Sequence, residues 1–185
     1  MTEKEKMLAG QIYDANYDKN LIEERQKAKE LCFKYNMLNP SDTIDRENVL
    51  KELIGKIKGN ILIEQPFICD YGYNIEMGDN FYSNHNLVIL DAGGVKFGDN
   101  VFIGPNCGIY TSGHPIEKDV RNIGLEYAYP IKIGNDVWIG GNVCILPGVT
   151  IGNNVVIGAG TVVNKNVPDN VVIAGNPFKI IKEIN

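Results

Sequence analysis

The chain has 185 residues, 44% of them hydrophobic and 22% charged, with a formal net charge of −5. That length supports one domain with a substantial core and is too short for two full ones. The absence of a basic stretch after residue 60 disfavours a nucleic-acid partner, and no apolar run approaches membrane-spanning length. The opening MTEKEKMLAG lacks the apolar centre of a signal peptide, so the cytoplasm is the expected compartment.

Residues 2–58 read as helices. Leu21, Ile22, Arg25, Ala28, Lys29, Leu31, Cys32 and Tyr35 form a mixed apolar stripe at spacings of three and four. Pro40 stops that segment, and Ser41 or Asp42 can cap the next, whose apolar face is Val49, Leu50, Leu53, Ile54 and Ile57. The four cysteines, Cys32, Cys69, Cys107 and Cys144, form no CxxC pair and have no histidine at metal-ligand spacing. They read as small packing residues, and no metal site is expected.

From about residue 61 the periodicity changes to six. The stretch after residue 132 divides into IGNDVW, IGGNVC, ILPGVT, IGNNVV, IGAGTV and VNKNVP. Ile133, Ile139, Ile145, Ile151, Ile157 and Val163 hold the first position, and Val137, Val143, Val149, Val155, Thr161 and Val167 the fifth. Upstream, MGDNFY, SNHNLV, FGDNVF and IGPNCG follow the same plan, with two extra residues near Gly93 and Gly94. A period of six fits neither a helix nor a hairpin sheet and implies a β-solenoid, three units making one triangular coil of about 18 residues. Aliphatic first residues point inward, while Gly, Asn and Asp serve the corners. The expected division is a helical N-terminal cap region over 1–60 and a β-helix body over 61–185. The body carries a loop at 111–130 and a C-terminal cap at 168–185.

The register breaks once. Between Ile109 and Ile133 lies YTSGHPIEKDVRNIGLEYAYPIK, too long for a corner and opening on His114, one of two histidines in the chain. Long loops thrown out of a solenoid mark its binding face.

The motifs CDYGYNI (69–75), NFYSNHN (80–86), IYTSGHPI (109–116), GLEYAYPIKIGNDVWIGGN (124–142) and PGVTIGNNVVIGAGTVV (147–163) resemble those of the maltose and galactoside O-acetyltransferases. So do EKEKMLAGQIYDA (3–15) and AGNPFKIIKEI (174–184), and the match is closer to the maltose type. The resemblance implies a left-handed parallel β-helix, although parallel crossovers are otherwise nearly always right-handed. It implies acetyl transfer from acetyl-CoA to a hydroxyl of a glucosyl sugar, the 6-OH of maltose or glucose, with His114 as general base. A neutral imidazole suits that role near pH 7. Asn84 matches the residue that stabilises the transition state, and the Gly141 N–H a second oxyanion donor. His85 reads as a packing or wall residue on a strand.

By the same resemblance, Asp70 and Glu126 match acceptor-binding positions. The galactoside type carries Ser and Met there, which favours a glucosyl acceptor. Asp91 and Asp14 are further acceptor candidates, each equally readable as a solvated carboxylate. Coenzyme A is expected in a groove lined by Trp138, Gly141, Ala159, Asn164 and Lys165, with Lys179 and Lys182 meeting the phosphates. Relatives of this kind are homotrimers with sites between subunits, and the same is expected here. Three rival readings share the solenoid: an O-acetyltransferase for a galactoside or xenobiotic, a non-catalytic scaffold, and a zinc-dependent carbonic anhydrase. The last would need three histidine ligands, one more than the chain contains.

Overall fold

A repeated inward ladder builds the molecule. In the computed structural model, which describes residues 1–184, the chain winds as a left-handed parallel β-helix of about six turns. Its first face holds strands Lys56–Ile57, Ile75–Met77, Val95–Phe97, Ile131–Ile133 and Thr150–Ile151. The second face starts with Ile61–Ile63, Phe81–Ser83, Val101–Ile103, Val137–Ile139 and Val155–Ile157, and ends in the hairpin Val171–Gly175 and Phe178–Glu183. The third face holds Phe67–Cys69, Leu87–Leu90, Gly108–Tyr110, Cys144–Ile145 and Val162–Val163. Ile133, Ile139, Ile145, Ile151, Ile157 and Val163 are all buried in one core, as are the fifth-position valines. Thr161, the one hydroxyl in that fifth-position column, is also buried. It donates to the Gly158 carbonyl and accepts from the Gly175 N–H, which fastens the terminal hairpin.

The corners explain the asparagines. Asn80, Asn86, Asn100, Asn106, Asp136, Asn142 and Asn154 occupy the fourth position of their units, with φ between 53° and 63°. That left-handed conformation costs Asn and Asp less than other residues with a side chain. The third position makes a ladder: the N–H groups of Asp79, Asp99, Asn135 and Asn153 each donate to the side-chain oxygen of the residue stacked on the next coil. Gly at the second position lets the coils approach, since a Cβ on Gly134 would lie 2.6 Å from the Gly152 carbonyl oxygen.

The head differs in part from the sequence reading. Its helices are α1 (Glu3–Leu8), α2 (Lys19–Met37) and α3 (Thr43–Leu53), with a short strand Tyr13–Asp14 between the first two. Lys56–Ile57 is already a strand of the first face, so the solenoid begins before residue 61 and Ile57 belongs to it. Helix α1 is closed by a capping box between Thr2 and Glu5, and Asp18 caps α2. Helices α2 and α3 lie over the open end of the first coil. Asn36 exchanges two hydrogen bonds with the Phe67 backbone, and the Tyr35 hydroxyl donates to the Ile63 carbonyl. Ala28, Cys32, Tyr35, Val49, Leu50 and Leu53 extend the solenoid core into the cap. At the other end the antiparallel strand Phe178–Glu183 covers the last coil edge. Asn185, the last residue of the expected C-terminal cap, lies outside the described residues.

Coil length is uneven. Glu76 pairs with Lys96 twenty residues later, whereas Lys132 pairs with Thr150 after eighteen. The enlarged corners, Asp70–Asn74 and Asp91–Gly94, stack on the edge between the third and first faces, where the excursion also leaves. The sequence reading found the extra residues at Gly93 and Gly94 and missed the equivalent pair one coil earlier. Asp91 ties these corners together: its Oδ1 accepts the N–H groups of Asp70 at 3.1 Å and Tyr71 at 2.8 Å, and its Oδ2 has no partner.

Ile139→Ala should destabilise the fold by about 2–5 kcal/mol in denaturant unfolding, because the side chain is 1% exposed and its cavity cannot refill. Lys132→Ala, outward on the first face, should change stability by less than about 0.5 kcal/mol. Burial pushes the Asp91 carboxyl up to about 6. The native state therefore holds a proton that the unfolded chain has already lost between about pH 4 and 6. Stability contributed by this group falls as pH rises through that window. Asp91→Asn should abolish the fall, on the order of 2 kcal/mol, in a pH series of unfolding curves.

Candidate active site

The excursion is a β-hairpin. Strand Ser112–Gly113 pairs antiparallel with Leu125–Ala128, a short helix α4 (Lys118–Asn122) crosses the tip, and Tyr13–Asp14 from the head adds a third strand. His114 follows Gly113 directly and its side chain is about half exposed. Its Nδ1 lies 3.0 Å from the Leu125 carbonyl oxygen. A carbonyl can only accept, so Nδ1 carries the proton and the lone pair sits on Nε2. Nε2 faces Glu126 Oε1 at 3.9 Å.

A cavity opens on this edge of the prism, lined by Asp70, His114 and Glu126 together with Tyr13, Arg25 and Tyr71. Each enlarged corner contributes to it: Asp70 and Tyr71 from the first, Leu90 and Ala92 around the second, and the hairpin from the third. Burial raises the Asp70 carboxyl, and the nearby Arg25 charge opposes the shift. Burial also pushes the Tyr71 hydroxyl up to about 12, so it stays protonated and accepts from Arg25 Nη1 at 2.7 Å. Arg25 also donates to the Ala15 carbonyl, which fastens the segment that carries Tyr13.

Sequence reasoning passed over Tyr13 and Tyr71 and placed Arg25 in an amphipathic stripe. Head residues carry no periodic signal that would bring them to a corner. The unequal coil lengths would have pointed to the correct edge.

The other expected site residues lie elsewhere on this chain. Asn84 is on the edge between the second and third faces, where its N–H donates to the Ile103 carbonyl and its side chain accepts the His85 N–H. Gly141 and Ala159 stack on that same edge, two and three coils further on. Trp138 is 59% exposed on the second face. Asn164 and Lys165 are exposed at a corner after Val163, with the Lys165 ammonium over the Phe178 ring. Lys179 and Lys182 are exposed on the terminal strand.

Asp91 is wholly buried behind Asp70. Asp14 spends its carboxylate on the N–H groups of Asn16 and Tyr17 and does not line the cavity. His85 is at a corner rather than on a strand, its Nδ1 2.7 Å from the Gln65 carbonyl oxygen. Cys32, Cys69 and Cys107 are buried, as packing residues should be, while Cys144 points outward from the third face. Among the described residues, no group of three His, Cys, Asp or Glu could hold a metal, and no helix is long and apolar enough to cross a membrane.

Comparison with known proteins agrees with this architecture. Residues 6–59 match the maltose acetyltransferase hexapeptide capping motif, 94–121 the hexapeptide repeat of succinyl-transferase, and 130–165 the bacterial transferase hexapeptide. A putative acetyltransferase of Saccharomyces cerevisiae is 56% identical over 97% of this chain and 92% of its own length. The crystal structure of a maltose O-acetyltransferase from Clostridium difficile superposes with a TM-score of 0.97 at 50% identity, covering 100% of this chain and 98% of that one. A galactoside acetyltransferase in complex with coenzyme A superposes at 0.96 and 44% identity, over 100% and 92% of the two chains. The chain belongs to the maltose and galactoside acetyltransferase family of hexapeptide-repeat transferases.

Proposed function

We propose that this chain transfers the acetyl group of acetyl-CoA to a hydroxyl of a glucosyl sugar such as maltose or glucose, the 6-OH, with His114 as general base. One observation carries the reading: an imidazole whose Nδ1–H is pinned to a carbonyl turns its Nε2 lone pair into a cavity walled by two carboxylates. Nε2 takes the proton of the acceptor hydroxyl as that oxygen attacks the thioester carbonyl carbon. The tetrahedral oxyanion needs donors already in place. It then collapses, the carbon–sulfur bond breaks, and the leaving thiolate takes the proton from the imidazolium. Asp70 and Glu126 accept from sugar hydroxyls, a role that Ser and Met would fill differently. Coenzyme A binding by a family member supports the donor.

Asn84, the proposed oxyanion donor, lies on a different edge of the prism from His114, so one chain alone does not assemble this site. The outward faces favour a ring of three. The first face carries Lys56, Glu76, Lys96 and Lys132 in register. The second carries Leu62, Tyr82, Phe102, Trp138 and Val156, and the third Ile68, Val88 and Val162. Leu62, Ile68 and Phe102 are 46%, 48% and 42% exposed in the single chain. In a ring of three with the apolar third faces turned to the axis, the two edges that bound that face meet, so one subunit's His114 edge comes to its neighbour's Asn84 edge and the charged first face stays outside.

In a thiol-release assay with acetyl-CoA and maltose or glucose, His114→Ala should lower kcat by roughly 10²–10⁴-fold. Asn84→Ala should lower it by roughly 10²–10³-fold. Turnover with galactosides alone would redirect the acceptor, and no His114-dependent signal with any hydroxyl acceptor would favour a scaffold. Co-assembling His114→Ala with Asn84→Ala chains should restore about a quarter of wild-type activity, because random mixing leaves that share of interfaces with both residues intact. No recovery would place each site within one chain.

A further inference from the structure

The strand that completes the site belongs to the head. Tyr13 stands opposite Glu126 in the antiparallel pairing and is 1% exposed. Its hydroxyl donates to Glu126 Oε2 at 3.1 Å, while Oε1 faces His114 Nε2 at 3.9 Å. Burial, followed by the Glu126 charge, pushes the Tyr13 hydroxyl far above its ordinary range, so it is a donor at every working pH. The 3.9 Å gap is too long for a direct hydrogen bond, yet close enough for the two groups to sense each other's charge and share contact with one hydroxyl oxygen.

We propose that Tyr13 is a positioning residue for acetyl transfer, holding the Glu126 carboxylate so that one oxygen stays turned toward the reacting nitrogen of His114. The inference rests on the acetyl-transfer reading above. The terminal torsion of a glutamate is broad and roughly two-fold. A single donor on Oε2, anchored by the backbone pairing of Tyr13 with Glu126, removes that freedom. When Nε2 takes the acceptor's proton, the new imidazolium lies beside a carboxylate oxygen already in place. A charge fixed before the reaction stabilises the transition state without reorganising during it. Arg25 supports the arrangement from behind, since its bonds to the Ala15 carbonyl and the Tyr71 hydroxyl hold the Tyr13 segment against α2. On this reading the head is a wall of the active site as well as a cap on the solenoid.

The test is a double-mutant cycle on the full-length chain with Tyr13→Phe, Glu126→Gln and the pair, measuring kcat and both KM values. Tyr13→Phe should lower kcat roughly ten- to hundred-fold, the range for one hydrogen bond to a charged group, and leave KM for acetyl-CoA unchanged. In the Glu126→Gln background the same substitution should cost nothing further. Wild-type kcat in Tyr13→Phe, or losses that multiply in the pair, would overturn the inference. Thermal unfolding of each variant shows whether the fold survives. Should Tyr13→Phe not fold, Glu126→Asp keeps Tyr13 in the core and draws the carboxylate away by one methylene. A comparable fall in kcat is then expected, and an unchanged kcat overturns the proposal. A wild-type chain that acetylates no hydroxyl acceptor would remove the underlying reading and this inference together. An active wild type with an indifferent Tyr13 would remove this inference alone.

Discussion

Every coil of a parallel β-helix leaves a full row of backbone N–H and C=O groups for the next coil to satisfy, and the rest of the molecule is arranged around that demand. Within the stack it is met by strand pairing along three faces, and at the corners by the Asp and Asn side chains that cap the N–H groups of the neighbouring coil. At the ends it must be met by something that is not another coil. Asn36 and Tyr35 on α2 supply those partners at one end, and an antiparallel strand supplies them at the other. An unpartnered end would expose a template for edge-to-edge association. The head is therefore part of the solenoid's hydrogen bonding rather than a separate attachment.

A stack held so tightly tolerates variation only where the chain leaves the core. The inward positions admit apolar side chains and little else; the buried Ser83 and Thr161 both turn their hydroxyls back onto carbonyls. Corners are freer, and the irregular ones fall on one edge: two enlarged corners and the long hairpin stack between the third and first faces. Stacking them brings Asp70 and Tyr71 into one cavity with His114 and Glu126, although the two pairs come from separate parts of the chain. Asp91, buried beneath, holds two of the N–H groups of the first corner in place.

The body was legible because its signal is repeated. Six consecutive units with an aliphatic first residue admit one explanation, and the structure places those residues in the core. Handedness was legible only through family resemblance, since sterics alone favour the opposite hand. The boundary of the head was misplaced because Lys56–Ile57 is too short to show a period of six. His114 was visible as the start of the one long interruption, and its tautomer was not, because that depends on a carbonyl eleven residues away. Tyr13 was invisible for a related reason. Its partner is 113 residues distant, and no local pattern marks a tyrosine that will meet a glutamate across an antiparallel pair.

The way His114 is held bears on how such a site can change. Its ring is oriented by a main-chain carbonyl, on a hairpin that is hydrogen-bonded to its own return strand and, through that strand, to the head. Backbone contacts of that kind persist when side chains are replaced. The groups proposed to meet the acceptor, Asp70 on the first enlarged corner and Glu126 on the return strand of the hairpin, line the same cavity with His114, and the Glu126 carboxylate stops 3.9 Å short of its ring. Substituting either carboxylate would then change the proposed acceptor wall while the His114 ring keeps its main-chain anchor. A scaffold that fixes the proposed base through the main chain and leaves the proposed acceptor wall to side chains would allow one chemistry to serve many substrates.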